Sequence, residues 1–252
     1  MARAGFAVGL VNPRRIKGFR EAEGRRAKTD RLDAGLIARF ALQMSDTLRA
    51  LPSAEQQSLK AFATRRRQLV EMIAMEKVRL KQAAEPLLLA SHRAAIAALS
   101  AERDSIEAEL AARVERDKKL ARRYAILVSM PGIGSKVATT LITDLPELGT
   151  TDRRGIASLA GLAPHPSQSG LAPSRNQIAG GRPCVRAALY MAALAACRSN
   201  SRYKAEYHSM RDDGKAAKVA IIAVARKLLT LANSLIKADS LYDPTFLAKQ
   251  TS

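Results

Sequence analysis

Three segments stand in order between Ile126 and Asn200: LVSMPGIGSKVATTLI, then LAGLAPHPSQSG, then GGRPCVRAALYMAALAA. Together they narrow what this chain can fold into. Pro131-Gly132-Ile133-Gly134 separates two apolar-periodic runs, so the chain must turn tightly from one helix into another. The run from His165 to Ser174 is too rich in Pro, Ser and Gly for a helix, and such loops lie at the surface and often carry function. Gly180-Gly181-Arg182-Pro183 ends it, with Pro183 suited to the first turn of the next helix. That helix has a small-residue face at Leu189, Ala192, Ala193 and Ala196, suited to close packing.

A length of 252 residues allows one large domain or two ordinary ones. Aromatics make up only 4% and Trp is absent, so the core must be built of Ala, Leu, Ile and Val, a palette that favours closely packed helices. The formal charge of +19 predicts binding to polyanions, because each neutralised phosphate releases condensed counterions. Cys184 and Cys197 are too few for a disulfide framework or a metal site and are expected to be free thiols of a reducing cytoplasm. The apolar run near the N-terminus is too short for a secretory core, and the longest uncharged apolar helix, Ala187 to Cys197, is too short to cross a bilayer. The expectation is a soluble intracellular protein with no membrane partner.

Taken in order, Phe6 to Val11 is expected to be a buried strand that stops at an Asn12-Pro13 turn. A strongly basic segment follows. Lys28-Thr29-Asp30-Arg31-Leu32-Asp33 then opens a helix running through Leu36, Ile37 and Phe40, with Thr29 as N-cap and acids in the first turn. Asp30 and Asp33 are three apart, so their carboxylates share a face; they are either a divalent-cation pair or an ordinary acidic first turn on a solvated helix. Past Leu51-Pro52-Ser53, a roughly heptad stripe of Leu59, Phe62, Leu69, Met72, Ile73 and Leu80 runs to Ala84. Pro86 interrupts it, and a second stripe carries Ile96, Leu99, Ile106, Leu110, Val114 and Leu120. The pair makes an antiparallel hairpin or a dimerising arm. The run Arg65-Arg66-Arg67 is expected to be a solvated face rather than a binding site, although a helical arm lying along DNA would use it.

Met130-Pro131-Gly132-Ile133-Gly134, followed by Val137, Ala138, Leu141 and Ile142, has the helix-hairpin-helix pattern. Its second helix starts with free backbone N–H groups that can hold a DNA phosphate without reading bases; a purely structural helix turn has the same pattern. From about Gly214 a second basic helix, with Lys215, Lys218, Arg226 and Lys227, presents an Ala, Val, Ile and Leu core face. The tail after Pro244 is expected to fray.

These motifs resemble a known family. Met130-Pro131-Gly132-Ile133-Gly134, Ala160-Gly161-Leu162-Ala163-Pro164, Gln168-Ser169-Gly170, Arg186-Ala187-Ala188-Leu189 and Gly214-Lys215 occur in the order seen in Piv-like, DEDD-type transposases, the insertion-sequence recombinases of the family numbered one hundred and ten. Val11-Asn12-Pro13 and Ala27 to Ala34 resemble the last part of that family's RuvC-like domain. The resemblance implies a mainly α fold with three parts. Residues 1–50 would be the C-terminal part of an RNase-H-like (RuvC-like) α/β domain, 53–122 a coiled-coil helical linker, and 124–243 an all-α transposase domain with a helix-hairpin-helix-like motif and a serine loop. Residues 244–252 would be a tail.

The resemblance also implies Mg²⁺ held by four acids, of which Asp30 and Asp33 match the last two, and a serine that attacks a DNA phosphodiester. Ser169 matches that serine, with Ser167 as the competing assignment. DNA contacts are expected from Gly132, Gly134, Lys136, Arg182, Arg186, Lys215 and Lys218. The implied partners are DNA, a structured guide RNA from the same element and further copies of the chain, in a bacterial, nucleoid-associated setting. The family's first Asp and Glu would lie upstream of Phe6, so the chain is expected to be a member shortened at its N-terminus, with poorly packed first fifty residues. Two other readings stay open: a non-catalytic DNA- or RNA-binding remnant of such an enzyme, and a helix-hairpin-helix repair or nucleoid protein.

Overall fold

Asn12 and Pro13 start a helix rather than end in a turn. The Asn12 side-chain oxygen accepts from the Arg14 amide at 3.0 Å, and Pro13 occupies the first helical turn, where its missing N–H costs nothing. The computed structural model describes residues 8–24, 30–45, 49–165 and 177–244. It divides the chain into two units, Met1–Gln57 and Ser58–Ser252.

In the first unit, α1 (Pro13–Ala22) packs on α2 (Asp30–Gln43) through Phe19 and Phe40, whose rings meet edge-on with centroids 5.5 Å apart. Arg39 grips Glu23 with two bonds of 2.9 Å, and Arg20 donates to Asp33 at 2.7 Å. The strand expected at Phe6–Val11 is a two-residue β1 (Gly9–Leu10) with both residues exposed, not a buried strand. Its partner comes from downstream, as β2 (Arg49–Ala50) pairs antiparallel with it, Gly9 opposite Ala50 and Leu10 opposite Arg49. Leu36 and Phe40 are buried, whereas Leu10, Leu32, Ile37, Leu42 and Met44 are exposed. Thr29, the expected N-cap of α2, lies outside the described residues.

The second unit takes in, from Ser58 on, the two helices that the heptad stripes predict. Helix α3 reaches from Ala54 to Gln82, and α4 (Pro86–Arg116) returns antiparallel to it. Ion pairs and hydrogen bonds descend the hairpin in step: Glu76 with His92, Arg65 with Glu102, Arg66 with Glu107, and Ser58 with Arg113. Arg113 also lies over the Phe62 ring, 4.3 Å from its centroid. The arginine triplet is therefore not a solvated face, since Arg65 and Arg66 bridge to α4 and Arg67 reaches Asp144 at 2.6 Å. Burial in the arm is confined to Leu59, Ala63, Leu69 and Ile73 on α3 and Leu110 and Val114 on α4. Towards the tip, Met72, Met75, Val78, Leu87 and Leu88 are exposed.

The remaining elements form the core. Among the described residues they are α5 (Lys118–Val128), α6 (Ser135–Asp144), α7 (Arg153–Ala160), α8 (Pro183–Ser199), α9 (Ser201–Asp212) and α10 (Ala217–Lys237). Asp117, Asp152 and Asn200 cap the N-termini of α5, α7 and α9 through their side chains. Helix α8 buries Val185, Leu189, Ala192, Ala193 and Ala196 in one core cluster with the stripe from Ala220 to Ala232 of α10. The alanines let the helix backbones approach closely, and each fully buried leucine contributes about 1.5–3 kcal/mol. By length and composition α10 would be long and apolar enough to span a bilayer, exceeding the Ala187–Cys197 run, but one face of it is buried in this core and Lys218, Arg226 and Lys227 interrupt it.

Candidate functional site

The polar loop is mounted on the helical core, between the end of α7 and the start of α8. β3 (Pro164–His165) and β4 (Gln177–Ile178) pair antiparallel, Pro164 opposite Ile178 and His165 opposite Gln177, so the loop leaves and re-enters the fold at one point. Ser167 and Ser169 lie between these strands, outside the described residues. Below the ribbon, Gly161 and Gly181 press backbone to backbone. Both have positive φ, and a Cβ on Gly181 would lie 2.2 Å from the Gly161 nitrogen. The Arg182 amide donates to Leu159 O at 2.9 Å, which ties the exit of the loop to α7.

Arg182 and Arg186, both expected on DNA, are engaged inside this foot. Arg182 donates to both Glu147 oxygens at 2.6 Å and to Asp144 O at 2.9 Å. Arg186 donates to Gly180 O at 2.9 Å and Gly161 O at 3.3 Å. Their charges therefore buttress the loop. Asp144 and Glu147 lie at the end of α6 and just beyond it, and their part here was not legible in the sequence, because nothing local marks a carboxylate as the partner of an arginine 35 residues away. Buried Asp144 also takes Arg67 from the arm, so α3, α6 and the loop exit meet at one residue.

The expected helix-hairpin-helix maps onto α5, the turn from Ser129 to Gly134, and α6. Gly132 has φ +78°, and a Cβ there would meet Ala192 O at 2.3 Å, so this glycine seats the turn on α8. Gly134 is the N-cap of α6 and supplies no side-chain cap, which leaves the first amides of α6 without that partner. Lys136 is exposed in the first turn. Beside it, a cavity of about 420 Å³ runs between α6 and the arm, lined by Arg66, Arg67, Tyr124, Ser135, Lys136 and Thr139 among others. Lys215, between α9 and α10, and Lys218, in the first turn of α10, are exposed, and Lys215 lies 3.7 Å from Asp213.

Asp33 and Asp30 stand on the first turn of α2. Asp33 accepts from Arg20 at 2.7 Å, and the Asp30 side chain lies outside the described ones. Among the described residues no three His, Cys, Asp or Glu side chains gather closely enough to hold a metal ion. One carboxylate already paired with a guanidinium does not fit a Mg²⁺ site by itself, because Mg²⁺ needs a near-octahedral oxygen shell. The Cys184 and Cys197 thiols are free, and burial pushes Cys197 upward in pKa, the opposite of what a reactive thiolate needs.

A sequence model described as the Transposase IS116/IS110/IS902 family matches residues 124–208, which hold the hairpin, the loop and α8. A second, a DEDD-type IS110 transposase model, matches residues 1–87. The chain is 30% identical over 247 residues to the pilin gene-inverting protein of Moraxella bovis, covering 94% of this chain and 74% of that protein. It is 26% identical over 249 residues to an insertion element IS900 42 kDa protein of Mycobacterium paratuberculosis, covering 92% of this chain and 60% of that one. Family models of this type over both parts of the chain, and 30% identity to a gene-inverting protein along 94% of it, identify the chain as a member of the IS110 family of DNA transposases and recombinases.

Proposed function

We propose that this chain cuts and rejoins DNA through a serine of the 166–176 loop, Ser169 or, as the competing assignment, Ser167. The observation that carries the reading is the foot of the loop. The Gly161–Gly181 contact, the β3–β4 ribbon and the Arg182–Glu147 fork hold both ends of a Ser- and Pro-containing loop on the helical core. Functional groups carried on loops need such support to meet a substrate reproducibly. In the proposed step the serine oxygen bonds to phosphorus, one ester P–O bond breaks and a deoxyribose hydroxyl leaves with a proton. Rejoining reverses this at a second strand.

The α6 N-terminus with Lys136 would hold a neighbouring DNA phosphate, and exposed Lys215 and Lys218 would extend the contact. The family's DEDD type carries a requirement for a divalent metal. Mg²⁺ is the ion proposed, with Asp30 and Asp33 as two of its four acids; the described side chains supply too few ligands to complete the site. A guide RNA from the element, assembly into oligomers and a cytoplasmic, nucleoid-associated location complete the proposal on family grounds.

The test is covalent trapping. The chain is incubated with Mg²⁺, element-end DNA and the element RNA, and run on a denaturing gel beside Ser169→Ala and Ser167→Ala. An adduct that Ser169→Ala alone abolishes assigns the nucleophile. Binding to DNA without any adduct would support the second reading, a binding remnant of such an enzyme, which the Arg20–Asp33 pair favours because it occupies one of the expected metal acids.

A further inference from the structure

We propose that the basic pocket formed by the N-terminal half of α5 and the C-terminal end of α10 is a docking site for the phosphate backbone of duplex DNA, separate from the α6 N-terminus and from the serine loop. The proposal rests on the reading of this chain as a DNA recombinase and says where the duplex is gripped. Lys118, Lys119, Arg122 and Arg123 are spaced i, i+1, i+4 and i+5, so they project from one side of α5. With Lys237 they line an open pocket of about 470 Å³ whose single lining carboxylate is Asp239.

That carboxylate is committed. Arg122 donates to Asp239 Oδ1 at 2.8 Å and to Asp239 O at 2.6 Å. Among the described residues, Lys118, Lys119 and Lys237 have no carboxylate partner. Arg123 is the residue that sets this patch apart from an ordinary solvated one. Its guanidinium is largely buried and meets only carbonyls, Leu148 O at 2.7 Å and Pro146 O at 3.4 Å, while its buried Nε has no partner. Burial lowers its pKa with no anion to offset the cost. A buried polar atom without a partner calls for an explanation, and a cation held this way is stabilised by an anion entering the pocket beside it.

Phosphate is the anion that suits five cations around an open site. Guanidinium offers phosphate a planar fork, and lysines on flexible stems follow a backbone without reading bases. A protein contact to such a backbone has a signature in salt, because each neutralised phosphate of B-DNA contributes about 0.9 to the slope of log K against log salt.

The experiment measures binding of a labelled element-end duplex across a salt series. Full-length protein is compared with Lys118→Ala/Lys119→Ala/Lys237→Ala and with Arg123→Lys. A charge-matched control removes three exposed arm lysines, Lys60→Ala/Lys77→Ala/Lys81→Ala. The pocket variant is expected to lose about tenfold or more in affinity and to lower the salt slope by about 2. Arg123→Lys is expected to weaken binding while leaving the melting temperature of the free protein little changed, and the arm control is expected to bind as the parent does. An unchanged slope in the pocket variant, or an equal loss in the arm control, overturns the proposal. So does a loss confined to the element RNA with duplex binding intact. Failure of the parent itself to bind duplex DNA overturns the recombinase reading and the pocket with it, and is distinguished from the other outcomes by the parent titration alone.

Discussion

Arg67 of α3 donates 2.6 Å to the carboxylate of Asp144 at the end of α6, and only 4% of that carboxylate side chain is exposed. The same residue offers its backbone carbonyl to Arg182 at the exit of the serine loop. The arm and the loop foot are thus joined through one buried acid. Removing one partner from a buried pair leaves the other charge stranded, while Arg67, about one-third exposed, moderates that cost. Arg67→Ala is expected to destabilise the protein by about 2–3 kcal/mol, read by urea denaturation. Asp144→Asn/Arg67→Met is expected to recover part of this.

Arg182→Ala removes a fork of two 2.6 Å bonds from Glu147 and a third bond from Asp144 O. The expected cost is about 1–3 kcal/mol. Arg182→Lys keeps the charge but cannot make the fork. It is expected to fall between parent and alanine in melting temperature, and to lose adduct formation in the trapping assay by more than its stability explains.

Gly132→Ala places a methyl 2.3 Å from Ala192 O at a φ of +78°. Left-handed strain and the clash together predict about 2–5 kcal/mol of destabilisation. Gly134→Ala, with an ordinary φ and open space around its Cβ, is expected to cost under about 1 kcal/mol in the same melting experiment.

Asn233, buried on α10, accepts from the Gly149 amide at 2.7 Å and donates to Thr151 O at 3.0 Å. This one amide side chain closes the connection between α6 and α7. Asn233→Ala strands both backbone groups and is expected to cost about 2–3 kcal/mol, with amide exchange at Gly149 accelerated. Asn233→Asp keeps the acceptor and loses the donor, so exchange at Gly149 is expected to stay slow.

Burial pushes the Tyr203 phenol up to about 12, from an ordinary value near 10. The folded state therefore disfavours the phenolate more than the unfolded chain does. The stabilisation is complete below about pH 10 and is lost as pH rises towards 12. The expected loss is at most about 2 kcal/mol once residual solvent screening is allowed for. In alkaline melts, Tyr203→Phe is expected to hold its stability through that window where the parent loses it.

Local sequence was enough for the helical character of the chain, the turn at Pro131–Gly134, the helix start at Pro183 and the two long helices of the arm, because each depends on local spacing and on a glycine or proline at a turn. That the arm folds back antiparallel on itself, rather than pairing with a second copy, came only from the tertiary structure. The sequence also carried the ordered motifs that mark the family. The Asn12-Pro13 pair shows where local reading slips: the same dipeptide ends a strand or caps a helix, and here Asn12 caps α1, which packs on α2 through Phe19 and Phe40. The roles of Arg182, Asp144 and Arg67 were decided by tertiary structure alone. A basic side chain faces solvent, DNA or a carboxylate according to what the fold brings within about 3 Å of it, and that partner stands 35 residues away for Arg182 and 77 for Arg67.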